Sequence, residues 1–419
     1  MTVYSPHTHS GLSRFIVAFY GGAPDTMRAH HSPVRRFVGV SAILLLTGLF
    51  PGHSSSRVLL WPVAGASIAP ADAAVSPESI FPTVLYQIGA RSESVSARDL
   101  DGDGHVDLVL TDDNYIGPYY GEVVSLLGRG DGTFSPPRGS PAGDDPGYPR
   151  LGDFNSDGRP DVLVTNGYDE GVSIVLGDGH GTFGNRIVIP TSSVYSTAVG
   201  DFNQDHQDDL VIAHETSIEI RLGHGDGTFA PATVLGGAKR TFTLSLVLDF
   251  NGDGKLDLAI SDAYIDSYNW VSDLVLFPGQ GDGTFGAPVR NRRPDRATAI
   301  ASGDLNGDGR DDIALIEDQY VVTLLASADG TVTETDRLPF YNWSYSVAMG
   351  DLDGDHIPDL IVGGNRGIPG GLGFDGVTAF QGHGDGTFGP PQDFGAGIRP
   401  TSIATADFDG DGRDRKSVV

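Results

Sequence analysis

A nine-residue acidic segment recurs along this chain and constrains its fold more than any other feature. In its clearest copy, Asp249 to Asp257, oxygen-bearing side chains occupy the first, third, fifth and ninth places. Gly254 at the sixth place lets the backbone turn sharply, and the apolar run Leu258 to Ile260 follows at once. Carboxylates, an amide oxygen and a backbone carbonyl around one tight turn are the ligands that a hard cation such as Ca²⁺ prefers.

Six intact copies of this segment occur, 47 to 55 residues apart. Ordinary turns use Asp, Asn and Gly for local hydrogen bonding, but they do not recur with this spacing. We therefore expect about six calcium sites, in which the seventh residue contributes its backbone carbonyl. The candidate ligands are Asp99, Asp101, Asp103, His105 and Asp107; Asp153, Asn155, Asp157, Arg159 and Asp161; Asp201, Asn203, Asp205, Gln207 and Asp209; Asp249, Asn251, Asp253, Lys255 and Asp257; Asp304, Asn306, Asp308, Arg310 and Asp312; and Asp351, Asp353, Asp355, Ile357 and Asp359.

Other calcium loops fit this pattern poorly. An EF-hand needs an acidic ligand at its twelfth place, where this chain has only apolar residues. Thrombospondin-type calcium repeats depend on cysteine, and the chain contains none. The coordination should therefore end at the ninth residue, after which the chain enters a buried strand. The twelfth-place residues are Leu110, Val164, Ile212, Ile260, Leu315 and Val362.

The composition is consistent with metal loops in a turn-rich β protein. The formal net charge is −28, much of it carried by the aspartates of the six loops, and 59 of the 419 residues are glycine. The acidic balance argues against a nucleic-acid partner, because phosphate binding needs clustered Lys and Arg. With no cysteine there is no disulfide framework, so metal is the available cross-link for a secreted fold.

The first 78 residues differ from the rest and predict a leader. Arg35 and Arg36 precede an apolar run, and small residues that fit a signal-peptidase site follow, with cleavage expected near Ala73. Met27 is the expected start of translation. The apolar run is short for a bilayer span, so we expect no stable membrane span in the mature chain, although an uncleaved anchor is the alternative. A secreted, cell-surface or periplasmic location follows.

A second segment, Gly128 to Phe134 with the sequence Gly-Arg-Gly-Asp-Gly-Thr-Phe, also recurs once in each unit. Its final Phe, replaced by Val332 in one degenerate copy, lies 18 to 20 residues before the next acidic loop, whereas the stretch from the ninth-place Asp forward to it varies from 20 to 29 residues. Alternating apolar residues and these turns divide each unit into four short strands. Four strands in about 50 residues, repeated without helical periodicity, predict an all-β chain whose units are propeller blades.

The two recurring segments together resemble the FG-GAP/VCBS repeat family, the calcium-bearing propeller blades of integrin α-subunits and of many secreted bacterial proteins. The likeness covers residues 81 to 413. It implies a propeller in which each metal loop joins the first and second strands of a blade, but it implies no particular activity. His206 and His356 depart from the pattern because they replace glycine at the sixth place, where a positive φ is expected. We expect weaker, but not lost, calcium binding there.

The ends of the chain bear on the number of blades. Residues from Phe81 look like the fourth strand of a blade, and a damaged seventh loop begins at Asp407, Asp409 and Asp411. We therefore expect a seven-bladed propeller over residues 79–413 whose last blade is truncated. Residues 414–419, with Arg415 where a ligand belongs, are interpreted as a non-native tail.

Ligand binding is expected on the face opposite the metal loops. The second-to-third-strand connections vary in length and carry aromatic residues, which suit recognition of a sugar or a protein, although packing of the loops is an equal alternative. The expected partner residues are Tyr115, Tyr119, Tyr120, Tyr264, Tyr268, Trp270, Tyr341 and Trp343.

These patterns predict a secreted calcium-binding propeller that acts as a binding or adhesion module for a glycan or an extracellular protein. No nucleophile, histidine and acid set and no phosphate-binding loop is found, so we assign no catalytic residue. A polysaccharide lyase with its acid and base on the long loops is one alternative, and a structural spacer of the cell envelope is another.

Overall fold

The computed structural model describes residues 94–409, apart from nine gaps, together with the backbone of four strands before residue 90. Among the residues that it describes, the secondary structure is all β, and no helix is long and apolar enough to cross a bilayer. The gaps are 113–120, 168–170, 192, 216, 237–240, 267–268, 341–343, 367–373 and 395–399.

Six four-stranded antiparallel sheets follow one another along the chain, and each is a blade. Within every blade the strands pair in sequence order, as expected for a meander. Blade one contains β5 (Val95–Arg98), β6 (Asp107–Asp112), β7 (Gly121–Leu126) and β8 (Arg138–Gly143); blade two β9 (Gly147–Gly152), β10 (Asp161–Asn166), β11 (Gly171–Gly177) and β12 (Phe183–Ile189); blade three β13 (Ser196–Gly200), β14 (Asp209–Ala213), β15 (Ile218–Arg221) and β16 (Thr233–Leu235); blade four β17 (Thr241–Leu248), β18 (Asp257–Asp266), β19 (Asn269–Phe277) and β20 (Val289–Arg293); blade five β21 (Ala297–Gly303), β22 (Asp312–Glu317), β23 (Tyr320–Ala326) and β24 (Val332–Pro339); blade six β25 (Ser344–Gly350), β26 (Asp359–Arg366), β27 (Phe374–Phe380) and β28 (Gln392–Phe394).

The blades form a ring around their first strands. The first strand of each blade contacts the first strand of the next, from β5 through β9, β13, β17 and β21 to β25. A further strand, β29 (Pro400–Thr405), contacts both β25 and β5 and so lies between blade six and blade one. The backbone amide of Val95 donates to Ser402 Oγ at 3.3 Å, which links the two ends of the ring.

The prediction of a seven-bladed propeller with a truncated last blade is wrong, because the ring contains six four-stranded blades. The sheet that includes β29 has five strands, in the order β29, β2 (Ala42–Leu46), β1 (Ser13–Gly21), β3 (Ser56–Ala64) and β4 (Val84–Gly89). A strand edge must pair its amides and carbonyls, and β29 pairs with β2 of the N-terminal segment rather than with a strand of its own repeat.

The counting error has a specific origin. The sequence argument assigned one blade to every acidic loop, including the loop at Asp407, but a loop shows only that a first strand precedes it. The expected fourth strand near residue 81 does occur as β4, at the opposite edge of the five-stranded sheet from β29. The predicted cleavage site near Ala73 and the tail at 414–419 lie outside the described residues, so both stay predictions.

The hydrophobic core is divided into layers between neighbouring blades. Between blades two and three, for example, Phe154, Leu163 and Ile174 pack against Leu210 and Ile212. The second strand of a blade is buried on both faces by such layers, so β6 and β22 contain only buried residues. The outermost strands are largely exposed, as in β16. Apolar packing thus fixes the blades, and the connections at their two ends are left for function.

Candidate metal centres

All six acidic loops lie on one face of the ring. Each joins the first and second strands of its blade, as the sequence predicted, and the turn between the third and fourth strands lies beside it. In blade four the backbone amide of Gly279, which begins that turn, donates to Asp257 Oδ1 at 2.7 Å. The metal loops and the glycine-rich turns therefore form one continuous surface.

Within a loop, the first carboxylate is held by backbone amides. In blade four, Asp249 Oδ2 accepts from Gly254 N at 2.8 Å, and Asp249 Oδ1 accepts from Gly252 N at 2.8 Å. Asn251 Oδ1 and Asp253 Oδ1 accept from the amides two residues ahead of them, at 2.8 and 3.0 Å. The side-chain oxygens at the first, third and fifth places thus curl around one centre.

The bond from the sixth-place amide to the first-place carboxylate occurs in all six loops, which shows that they share one conformation. The remaining five bonds are Gly104 to Asp99, Gly158 to Asp153, His206 to Asp201, Gly309 to Asp304 and His356 to Asp351, each 2.9 Å long.

The sixth place requires the left-handed backbone region. Gly254 has φ +77°, and the two histidines that replace glycine adopt the same conformation, with φ +66° at His206 and +68° at His356. The expectation of positive φ at these two positions is confirmed. Because a side chain in this region costs free energy that glycine does not, the loops of blades three and six are strained.

The ninth-place aspartate is the anchor of each loop. In all six loops this side chain is at most 1% exposed, and each of its oxygens accepts a backbone hydrogen bond. In blade four, Asp257 Oδ2 accepts from Phe250 N at 3.1 Å, while Oδ1 accepts from Gly279 N across the blade. The anchors therefore connect the first strand, the second strand and the third strand of one blade. The other anchors are Asp107, Asp161, Asp209, Asp312 and Asp359.

Burial changes the acidity of the anchors. Desolvation, with a smaller contribution from the other carboxylates of the same loop, raises the pKa of Asp107, Asp257 and Asp359 to about 7. The same causes raise the pKa of Asp161, Asp209 and Asp312 to about 6, and the backbone donors oppose the shift. A positive ion next to these groups would favour their anionic form.

Three carboxylates converge in two of the loops. Oxygens of Asp99, Asp101 and Asp107 lie within 4.8 Å of one another, and so do those of Asp351, Asp353 and Asp359. These are the two loops with Asp rather than Asn at the third place. The predicted donors are carboxylate oxygens and a backbone carbonyl, joined by an Asn amide oxygen in blades two to five, and this set suits Ca²⁺.

Three seventh-place residues, each expected to contribute only a backbone carbonyl, also place a cation beside the loop. Arg159 lies 3.8 Å from Asp157 and Lys255 lies 3.6 Å from Asp253, and Arg310 pairs with Asp308. These side chains partly neutralise the fifth-place carboxylate, at the position where a bound cation would also act.

Neighbouring loops are connected by the residue just before the anchor. Asp208 of blade three accepts from Asp153 N of blade two at 2.6 Å, and Asp311 of blade five accepts from Asp249 N of blade four at 2.9 Å. The first ligand of one loop is therefore held by the next loop. The sequence analysis did not predict this role. The available signal was that only two of the six loops, those with Asp208 and Asp311, have an acid at the eighth place.

In blades two and three a pair of phenylalanines also links the metal loop to the turn of the following blade. The rings of Phe202 and Phe285 are 5.5 Å apart, and Gly283 N donates to Phe202 O at 3.0 Å. The damaged seventh loop makes the same contact, since Phe408 lies 5.8 Å from Phe134 of blade one. Asp407 and Asp409 are described, whereas Asp411 lies outside the described residues.

Of the aromatic residues expected on the opposite face, Tyr264 alone has a described side chain. It is 9% exposed, its hydroxyl donates to Asp273 Oδ1 at 3.2 Å, and Arg292 lies over its ring at 5.8 Å. Tyr264 thus packs within blade four. The other side chains lie outside the described residues: Tyr115, Tyr119, Tyr120, Tyr268, Trp270, Tyr341 and Trp343.

Comparisons with known proteins agree with the fold and the loops. Residues 99–164, 153–212, 201–260, 249–315 and 304–362 each match the FG-GAP-like repeat. Over 171 residues the chain is 30% identical to integrin alpha-7 of Rattus norvegicus. That match covers 36% of this chain and 15% of the integrin subunit, so the chain spans a small part of this relative.

Solved structures resemble the whole ring at low sequence identity. The periplasmic gluconolactonase PpgL of Pseudomonas aeruginosa aligns with a TM-score of 0.55 and 14% identity, covering 86% of this chain and 98% of that one. A protein from Lactobacillus plantarum aligns with a TM-score of 0.53 and 11% identity, covering 83% and 94%. At such low identities, these similarities show only that the fold is shared.

Proposed function

Because this chain belongs to the FG-GAP-like repeat family, we propose that it is a calcium-binding propeller that acts outside the cytoplasm as a binding module for a glycan or an extracellular protein. The observation that carries the proposal is the shared geometry of six acidic loops on one face of the ring. A feature repeated in every blade serves the scaffold, so selectivity must come from the opposite face.

Calcium would be held by the side chains at the first, third, fifth and ninth places and by the seventh-place carbonyl. In blade one these are Asp99, Asp101, Asp103, Asp107 and the carbonyl of His105. When bound, the ion supplies positive charge to carboxylates that would otherwise repel each other. The carboxylates themselves hold the loop closed through backbone amides, as Asp99 does with Gly104 at 2.9 Å. The ion has a structural role in this proposal and takes part in no reaction.

A location outside the cytoplasm is supported by the N-terminal segment and by the calcium loops. The N-terminal 78 residues have the pattern of a signal peptide. Extracellular calcium is near 1 mM, a concentration at which modules with a Kd of about 10⁻⁴ M are occupied. The similarity to integrin alpha-7 agrees with such a location.

A glycan and extracellular-protein array probed with the purified chain tests the binding role. We expect retention of at least one ligand in calcium and loss of retention after chelation, because the loops that fix neighbouring blades would loosen. Incubation with a panel of polysaccharides should release no unsaturated ends that absorb in the ultraviolet. Release of such ends would instead identify a polysaccharide lyase, and blank arrays in calcium would contradict the binding role.

A further inference from the structure

The strands around the centre of the ring are almost uncharged. Among the six first strands and β29, the sequence places only two charged residues, Arg98 and Arg150, and no acid. Arg98 is exposed at the end next to the metal loops, where its charge acts on Asp208. Arg150 lies within β9 of blade two, away from that acidic face. In a chain of net charge −28, an arginine in such surroundings calls for an explanation.

Arg150 lies between the inner strands of blades two and three. Its neighbour Leu151 packs toward blade one, so Arg150 is directed to the other side. There Nε donates to the carbonyl of Thr197 at 3.2 Å, and Nη1 donates to the carbonyl of Pro149 at 3.3 Å.

Arg150 pairs with no carboxylate of the described residues. Both of its hydrogen-bond acceptors are neutral carbonyls, and Nη2 makes no hydrogen bond within the described part of the chain. Burial lowers the pKa of Arg150 from its usual value, which reflects the cost of keeping this charge without an acid beside it. A partly buried guanidinium with free donors has the chemistry to bind an anion.

A second polar group at the same boundary lacks a partner. Thr197 is completely buried, and its hydroxyl makes no hydrogen bond within the described residues. Thr197 is two residues from Val199, which packs toward blade two, and the pairing of β13 with β14 is regular between them. The Thr197 side chain therefore faces the same boundary as Arg150. Buried hydroxyls are normally hydrogen-bonded, so an unpaired one beside an arginine without an acid is unusual.

Two exposed tyrosines flank this boundary. Tyr148 is 49% exposed and is the second residue of β9, two residues before Arg150 on the same strand. Tyr195 is 45% exposed and directly precedes β13. Since both strands run toward the metal loops, both tyrosines lie at the opposite face. Tyr148 has φ +44°, a strained backbone conformation that presents its side chain there.

We propose that the boundary between the inner strands of blades two and three, where Arg150 lies between Tyr148 and Tyr195, binds the carboxylate of an acidic glycan. The planar guanidinium of Arg150 matches a carboxylate, and the rings of Tyr148 and Tyr195 offer flat, amphipathic surfaces for sugar rings. This inference rests on the proposed binding function and names the chemical class of its ligand.

Calorimetric titration with trigalacturonate and with its methyl ester tests the inference. The protein in 1 mM calcium should bind the acid at least tenfold more tightly than the ester, because one charge-assisted hydrogen bond corresponds to a factor of about ten or more. Arg150→Met should weaken binding of the acid by at least tenfold and leave binding of the ester unchanged. Arg150→Lys should retain an intermediate affinity, since it keeps the charge but loses the planar fork.

Arg129→Met is the matched control, because Arg129 is an exposed arginine in a turn on the metal face. It should bind trigalacturonate as the unaltered protein does. If Arg150→Met does not fold, as judged by its melting transition, Tyr148→Ala and Tyr195→Ala replace it and should each weaken binding.

Equal affinity for acid and ester, or an Arg150→Met protein that binds the acid normally, would overturn the inference. If the protein binds a neutral glycan and Arg150→Met does not change that binding, the proposed binding function would be kept and the carboxylate site would be rejected. Binding of a peptide with a free C-terminal carboxylate, but not of trigalacturonate, would reject the glycan class. No binding of any glycan or protein would reject both proposals.

Discussion

At the scale of single residues, His206 and His356 occupy a backbone conformation that the other four loops give to glycine. Their φ values, +66° and +68°, lie in the left-handed region, and both side chains are exposed. Neither ring fills a core position. The histidines therefore cost conformational free energy without any packing gain.

We expect His206→Gly and His356→Gly each to raise the free energy of unfolding by about 0.5–1 kcal/mol. Calcium affinity of the altered loop should rise as well, because the binding conformation would be less strained. The reverse change, Gly254→His, should lower the free energy of unfolding by about 1 kcal/mol. A side chain at this position contacts no other atom, so the only cost is that of the left-handed backbone conformation. Chemical denaturation measures all three, and destabilised histidine-to-glycine proteins would refute the strain argument.

The anchoring aspartates make a second residue-scale prediction, which concerns pH. The pKa of Asp257 is raised in the folded state to about 7, above its ordinary value of 3.8, so without calcium the folded chain binds this proton more tightly than the unfolded chain does. Stability of the calcium-free protein should therefore fall as pH rises from 5 to 8. Bound calcium favours the anionic form of Asp257, so the stabilisation that calcium provides should increase as pH rises.

The difference in melting temperature between calcium-loaded and calcium-free protein should consequently widen from pH 5 to pH 8. Paired melting curves across this range measure it after calcium has been removed by dialysis. An equal difference in melting temperature at pH 5 and at pH 8 would show that calcium does not change the protonation of the anchoring aspartates.

At the scale of elements, loops and strands depend on contacts between segments distant in sequence. The sequence identified Asp257 as a ninth-place acid. It did not predict the hydrogen bond from Gly279 N to Asp257, because no sequence pattern connects a loop residue to a turn 22 positions later. Strand order followed from turn chemistry and alternation, and it was predicted correctly. Arg150 was missed because one arginine in a short strand resembles any surface charge until the ring places it.

Asp208 gives the element-scale prediction. Because its carboxylate holds Asp153 N at 2.6 Å, Asp208→Ala should lower the unfolding free energy by about 1–3 kcal/mol even without calcium. It should also weaken calcium binding in blade two, although Asp208 belongs to blade three. The control Asp205→Ala removes an exposed ligand and should weaken only the blade-three site. Equal effects of both substitutions on calcium-free stability would refute the link between loops.

At the scale of the whole molecule, the ring is closed by residues from both ends of the described chain. Ser402 bonds to Val95, and Phe408 packs on Phe134. Sequence periodicity identified the ring but gave the wrong number of blades, because a recurring loop marks the start of a unit and not the strands that complete it. The five-stranded sheet depends on pairing between β29 and β2, and nothing in the repeat pattern identifies β2 as the partner of β29.

Calcium should dominate the stability of this ring. A site with a Kd of about 10⁻⁴ M in about 1 mM calcium adds roughly 1.4 kcal/mol, so six independent sites add about 8 kcal/mol. That total is comparable to the whole stability of a typical domain. Chelation should therefore lower the melting temperature by many degrees, and an unchanged melting curve would argue against calcium as a structural element.

The central claim is that six loops of this chain each hold one calcium ion, and equilibrium dialysis against ⁴⁵Ca²⁺ at neutral pH tests it most directly. We predict saturation at six ions per chain, with the loops of blades three and six filling last because of His206 and His356. A chain that takes up no calcium at millimolar concentration would contradict the account.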